Sequence, residues 1–175
     1  MIVNTLFKNF DERIPLEGAA DFYQKLHYDK NGLAVNPVFY VSNSPWNLYN
    51  YLMRFLKKNN FPKGPVLLRD FWTPFDKTEK PKIPHKHSEI TRILDTYPNL
   101  SFILIGDSGE KYAFYYIEIA KKYPGRILAI YLRSVKNQKR QQKAAQLVQS
   151  FDQVPMLLVD TSNEIEVHAK SIGIL

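Results

Sequence analysis

Apolar runs that are nearly continuous, not alternating with polar residues, recur along this chain and confine it to a narrow set of folds. They are VFYVS (38–42), FILIGD (102–107), RILAIYL (126–132) and PMLLVD (155–160), with VLLRDF (66–71) as a shorter fifth. Strands buried on both faces read this way, and such strands belong to parallel sheets covered by helices. The segments between them have helical spacing. In 45–58, Leu48, Leu52, Phe55 and Leu56 share a face, and Lys57 with Lys58 suits the negative end of the helix dipole. In 86–96 the face is Ile90, Ile93 and Leu94, stopped by Pro98; a helix over 110–123 ends at Pro124-Gly125. A polar, Gln- and Lys-rich helix is predicted over 137–150, with weaker ones over 17–27 and 163–172. Strands alternating with helices predict an α/β fold with a doubly wound, mostly parallel sheet.

The 175 residues suffice for one domain with its own core, and the absence of cysteine excludes disulfides, thiol nucleophiles and cysteine metal sites. No apolar stretch reaches the roughly 18–20 residues that span a bilayer, so the reading is a soluble, cytoplasmic protein. A formal charge of +7 favours anionic partners: phosphate esters, acidic lipid surfaces or nucleic acid. Trp46, Tyr49 and Tyr51, near Arg54, would suit nucleic acid. They flank a helix whose other residues look like core, so interior packing is the expectation and no nucleic acid is expected.

Ligands of open parallel sheets bind beyond the carboxyl ends of the strands, and three polar features stand there. The first is Ser42-Asn43-Ser44, followed by Pro45. Ser44 as N-cap and Pro45 as first helical residue make a good helix start. The same turn would aim backbone N–H groups and the positive helix end at a phosphate, with the Ser42 hydroxyl beside them. The second is Ile105-Gly106-Asp107-Ser108-Gly109, where the carboxylate either caps a turn or binds Mg²⁺, a hard cation that prefers oxygen. The third is His85-Lys86-His87: the lysine is either solvated or reaches for a phosphate, and the two histidines lack a third metal ligand. Asp160-Thr161 is read as a cap for the last helix. The proline-rich stretch 72–85 is a loop, either a plain connection or a flap over the substrate.

In order and spacing, SNSPWNLY, FPKGPVLLRDF, HKHSEITRIL and IGDSG, together with NTLFKNFDERIPLEGAADFYQKL, resemble the catalytic domain of the actin-patch phosphatidate phosphatase family, a branch of the haloacid dehalogenase superfamily. The similarity covers residues 4 to 135. It implies a phosphatidate phosphatase-like domain that uses Mg²⁺ to hydrolyse a phosphomonoester, phosphatidate to diacylglycerol or a related ester. By the same resemblance, Ser42 is the phosphate-binding hydroxyl, with Asn43 and Ser44 in its turn. Lys86 offsets charge on the phosphate, and Asp107, with Ser108 beside it, holds Mg²⁺. The family's reaction has two steps, attack on phosphorus by an aspartate and then hydrolysis of the aspartyl-phosphate.

Two positions depart from the family pattern. The nucleophile's Asp-x-Asp-x-Thr motif does not occur in the 175 residues, and Asp11, Asp21 and Asp29 do not follow apolar strands. That motif rides on the central strand of the superfamily's sheet. The chain is therefore read as N-terminally truncated, a fragment or a degenerate copy lacking its first strand, with little or no turnover of its own. Tyr112 also stands where the family places an acidic residue about five positions beyond Asp107. The alternative is an inactive module that holds phosphate groups or an anionic membrane surface through Lys86, the 134–143 segment and helix N-termini. The sequence fixes no oligomeric state.

Overall fold

A computed structural model of the chain describes residues 15–29, 31–70, 83–108, 112–135 and 137–175. Among the described residues, five strands alternate with helices. In chain order they are α1 (Ala19–His27), β1 (Tyr40–Pro45), a 3-10 turn at Trp46–Leu48 running into α2 (Tyr49–Lys58), β2 (Val66–Arg69), α3 (His85–Thr96), β3 (Phe102–Asp107), α4 (Tyr112–Lys122), β4 (Ile127–Arg133), α5 (Gln138–Ser150), β5 (Met156–Val159) and α6 (Ser162–Ser171). Every named strand pair is parallel: β1 with β2, and β3 with β4 with β5. This is the Rossmann-like, doubly wound α/β class. Backbone contacts cluster into two compact units, one of Ile90–Ile165 and one joining the described residues before Ile90 to Glu166–Leu175. Among the described residues no helix is long and apolar enough to cross a membrane.

In the unit of Ile90–Ile165, β4 lies between β3 and β5, and Ala129, Ile130, Tyr131 and Leu132 are fully buried along it. Helix α4 packs on β3 and β4 and buries Ala113, Tyr116, Ile117, Ile119 and Ala120. At the end of α3, Ile90, Ile93 and Leu94 are buried, as their spacing predicts. Beyond it the freed carbonyls are satisfied by Arg126: its Nε donates to Leu100 O at 2.8 Å, and one terminal nitrogen donates to Tyr97 O at 2.6 Å and Leu94 O at 3.3 Å.

The other unit is built around aromatic rings. Tyr23 of α1 stacks on Tyr40 of β1 at 6.4 Å and meets Phe61 edge-on at 5.5 Å, and Phe61 in turn lies 6.3 Å from Phe55. Burial pushes the Tyr23 hydroxyl up to about 12. The Tyr40 hydroxyl donates to Pro62 O at 2.8 Å. A β-carbon on Gly64 would lie 1.9 Å from Val38 O, so the FPKG turn admits only glycine against that carbonyl. Glu166 of α6 accepts from Lys25 of α1 and from Lys170, each at 2.8 Å, which ties residues 166–175 to α1.

Two local expectations are corrected, and that of a cap at Asp160-Thr161 holds. Ser44 is not the helix cap and Pro45 is not helical: β1 continues through Pro45, and the helical path opens as a 3-10 turn at Trp46. Trp46 is not interior; it is 56% exposed. Before α6 the cap is Thr161, whose hydroxyl accepts from Glu164 N at 3.3 Å and donates to Glu164 Oε1 at 2.6 Å, a capping box that holds the Glu164 carboxyl below its usual range.

Candidate active site

Strand β1 runs in register with β2 to Ser42 opposite Leu68, and then Pro45 stands opposite Arg69. Asn43 and Ser44 therefore have no counterparts on β2, which makes the strand exit a bulge. A bulge re-aims side chains at the end of a strand, and here the cause is local hydrogen bonding. The Ser42 hydroxyl accepts from Ser44 N at 3.1 Å and donates to Ser44 Oγ at 3.1 Å. Both serines are buried, at 6% and 7% exposure. Two hydroxyls are thus fixed at the carboxyl end of a parallel strand, where a bulky side chain would have continued the ladder. This pre-formed polar turn could accept an anionic oxygen with little rearrangement.

Lys86 lies at the second residue of α3 and, at 4% exposure, is buried, not solvated. Taking an ammonium out of water is costly unless charge or hydrogen bonds compensate, so a lysine buried at this place calls for anionic or hydrogen-bonding company. Beside it, His85 Nε2 is buried with no hydrogen-bond partner among the described residues. Lys86 belongs to the same compact unit as Ser42 and Ser44.

In the other unit, Asp107 is the last residue of β3 and pairs in register with Arg133 of β4. The backbone around it is fixed from two sides. Ser108 N donates to Arg133 O at 2.8 Å, and the Ser108 hydroxyl, 2% exposed, accepts from Val135 N at 3.2 Å. Gly106 is required on the opposite side: a β-carbon there would meet the Tyr116 hydroxyl at 2.7 Å. That hydroxyl donates to Ile105 O at 3.1 Å. The carboxylate of Asp107 therefore leaves the strand from a backbone that cannot slide.

No group of three His, Asp or Glu side chains that could cage a metal occurs among the described residues, His85 and His87 included. One strand-end carboxylate with hydroxyl neighbours is the oxygen-only donor type that suits Mg²⁺, which fills its remaining positions with water and substrate phosphate. The residues present fit the ion on that basis. Tyr112, which the sequence reading sets in the position of an acidic residue, is the first residue of α4 and is 4% exposed, packed as core. Asp29 caps its own turn, accepting from Asn31 N at 2.9 Å and Leu33 N at 2.8 Å, and Asp21 lies in the first turn of α1. Asp11, the 72–82 part of the proline-rich stretch, Gly109 and Lys136 within the 134–143 segment fall outside the described residues.

Comparison with known proteins gives one consistent answer. Residues 1–134 match the family described as "Phosphatidate phosphatase APP1, catalytic domain". The chain is 35% identical over 123 residues to "Phosphatidate phosphatase APP1" of Saccharomyces cerevisiae, covering 70% of this chain and 20% of that protein. It is 34% identical over 99 residues to "Uncharacterized protein C29B5.04c" of Schizosaccharomyces pombe, covering 56% of this chain and 16% of that one. The chain thus spans a fifth or less of the length of either relative. No solved structure matches it.

Proposed function

Since the chain belongs to the APP1 phosphatidate phosphatase catalytic-domain family, we propose that its β1 exit holds the phosphate of a phosphomonoester, phosphatidate or a related ester, for hydrolysis. The observation that carries this reading is the Ser42–Ser44 bulge, which locks two buried hydroxyls beyond a parallel strand. Its chemistry follows from the residues. The hydroxyls and backbone N–H groups of the turn orient the phosphoryl oxygens, and the buried Lys86 ammonium offsets their charge. In the other unit, Asp107 is the residue that would hold Mg²⁺ by the family resemblance, an ion whose chemistry is to supply positive charge to phosphoryl oxygens. The β3 backbone, fixed by Ser108 and Gly106, sets where that carboxylate stands.

A second reading is favoured by one observation: Tyr112, where the resemblance sets an acidic residue, is packed as core. On that reading the domain binds phosphate groups without turning them over. Mg²⁺-dependent phosphate release from a short-chain, soluble phosphatidate, measured beside inorganic phosphate binding by calorimetry, separates the two. Release that is lost in Asp107→Ala and Lys86→Met establishes the hydrolase. Binding without release, abolished by Lys86→Met, establishes the module. If wild-type protein neither binds phosphate nor releases it, the Ser42 site reading fails.

A further inference from the structure

The helical segment after the Ser42 turn has an apolar stripe that runs past its core face. Leu52 and Leu56 of α2 point into the core. Beside them, spaced i, i+3 and i+7, stand Trp46, half-buried Tyr49 and Met53, which carry the stripe out to the surface. Trp46 and Met53 are 56% and 38% exposed, and the Trp46 and Tyr49 rings meet edge-on at 4.7 Å. With Asn47 and Asn50, Trp46 and Tyr49 line an open groove of about 480 Å³. A solvent-facing helix surface ordinarily carries charged and polar residues; a large indole there gains nothing from the protein's own core. At the C-terminal end of the same helix, Arg54, Lys57 and Lys58 are all exposed.

We infer that the Trp46–Tyr49–Met53 face, with Arg54, Lys57 and Lys58, docks the protein on an anionic phospholipid bilayer at headgroup depth. Three features on this one element select that partner. Tryptophan and tyrosine are the side chains that prefer the boundary between headgroups and acyl chains, because each has an apolar body and a polar edge. The basic cluster complements the negative surface of an anionic leaflet, in a chain of net charge +7. Trp46 also follows the phosphate-binding turn with only Pro45 between, so docking this face would bring Ser42 and Ser44 to the depth where a lipid phosphate lies. This last point rests on the reading of the Ser42 turn given above; the first two do not.

The test uses the full chain and vesicles of phosphatidylcholine doped with phosphatidylserine, which carry no phosphomonoester and so probe the surface apart from the site. Wild-type protein is expected to cosediment with them, more weakly as salt rises, and to leave pure phosphatidylcholine vesicles unbound. Trp46→Ala/Met53→Ser is expected to lower the partition coefficient by roughly tenfold or more, with an unchanged circular dichroism spectrum. In a Trp72→Phe background, where Trp46 is the one remaining indole, its emission should shift to the blue on binding. Equal partitioning of variant and wild type, absence of binding at low salt, or a Trp46-dependent self-association in place of vesicle binding each overturn the proposal. Ser42→Ala is expected to bind these vesicles like wild type. Loss of vesicle binding by the Trp46 variant therefore stands even if phosphate neither binds nor is released at Ser42.

Discussion

Adding one methyl group at Gly106 tests whether the strand end that carries Asp107 is as tightly fixed as the geometry shows. In Gly106→Ala the new carbon would lie 2.7 Å from the Tyr116 hydroxyl, 3.1 Å from Cε2 and 3.2 Å from Cζ. Tyr116 is 3% exposed and cannot swing into solvent, so the ring or the strand must shift. Overpacking of this kind costs about 1–3 kcal/mol. Displacing the ring also strains the 3.1 Å bond to Ile105 O, worth about 1 kcal/mol. The expected destabilisation is therefore about 2–4 kcal/mol, or roughly 5–15 °C in melting temperature for a chain of this size. Tyr116→Phe removes the nearest clashing atom and unties the ring. On its own it should cost about 1 kcal/mol; combined with Gly106→Ala it should cost about 1 kcal/mol less than the two single changes summed. Urea denaturation of the four proteins in the cycle measures this. Additivity within about 0.5 kcal/mol would refute the contact as the cause.

Other perturbations have equally definite outcomes. Arg126→Met should lose about 2–3 kcal/mol in urea melts, because three carbonyls at the end of α3 and the following turn lose a charged donor. Lys86→Met should weaken phosphate binding about tenfold or more in calorimetry; a loss of about 3–5 kcal/mol of stability with binding intact would make Lys86 a structural lysine instead. Hydrogen bonds from Lys170 and Lys25 hold the Glu166 carboxyl below its ordinary 4.5. A folded-state pKa that is depressed gives stability that is full above about pH 4.5 and is lost as pH falls through the lowered value. Glu166→Gln should therefore flatten the acid limb of a plot of stability against pH below that point and leave its shape near neutrality unchanged.

Much of this fold could be read from local chemistry, and the exceptions share a cause. FILIGD is a strand at the residues its apolar run marks, and Pro124-Gly125 follows the end of α4 as punctuation should. Both signals are intrinsic to short stretches. The β1 exit misled because Ser44 and Pro45 have the composition of a helix start, yet the Ser42 hydroxyl captures Ser44 N–H and extends the strand by a bulge. Competition between a side chain and the backbone for one donor leaves no periodic trace. Trp46 was misplaced for a different reason: its neighbours do alternate between core and surface, but an aromatic residue enters the pattern as apolar whichever side it faces. Lys86 shows the converse. Nothing in HKH distinguishes a buried ammonium from a solvated one, and only the packing of α3 decides it. For the three strand-end groups, the type of residue was legible and the restraint on it was not. The Ser108–Val135 bond and the Tyr116 ring against Gly106 join residues that sequence spacing leaves unconnected.

The ion pair between Lys25 and Glu166 also bears on the order in which the molecule can be made. The unit around β1 is discontinuous: it needs α1 and also residues 166–175, which leave the ribosome only after the Ile90–Ile165 unit between them. The intervening unit of Ile90–Ile165 is contiguous and can close as soon as it emerges. During synthesis the stretch that carries Ser42 must therefore wait, with its aromatic cluster unsealed, while the later-made unit folds first. A pause in translation shortly before residue 166 would lengthen that exposure and recruit chaperones to the N-terminal half, even though every one of its strands had long since left the tunnel.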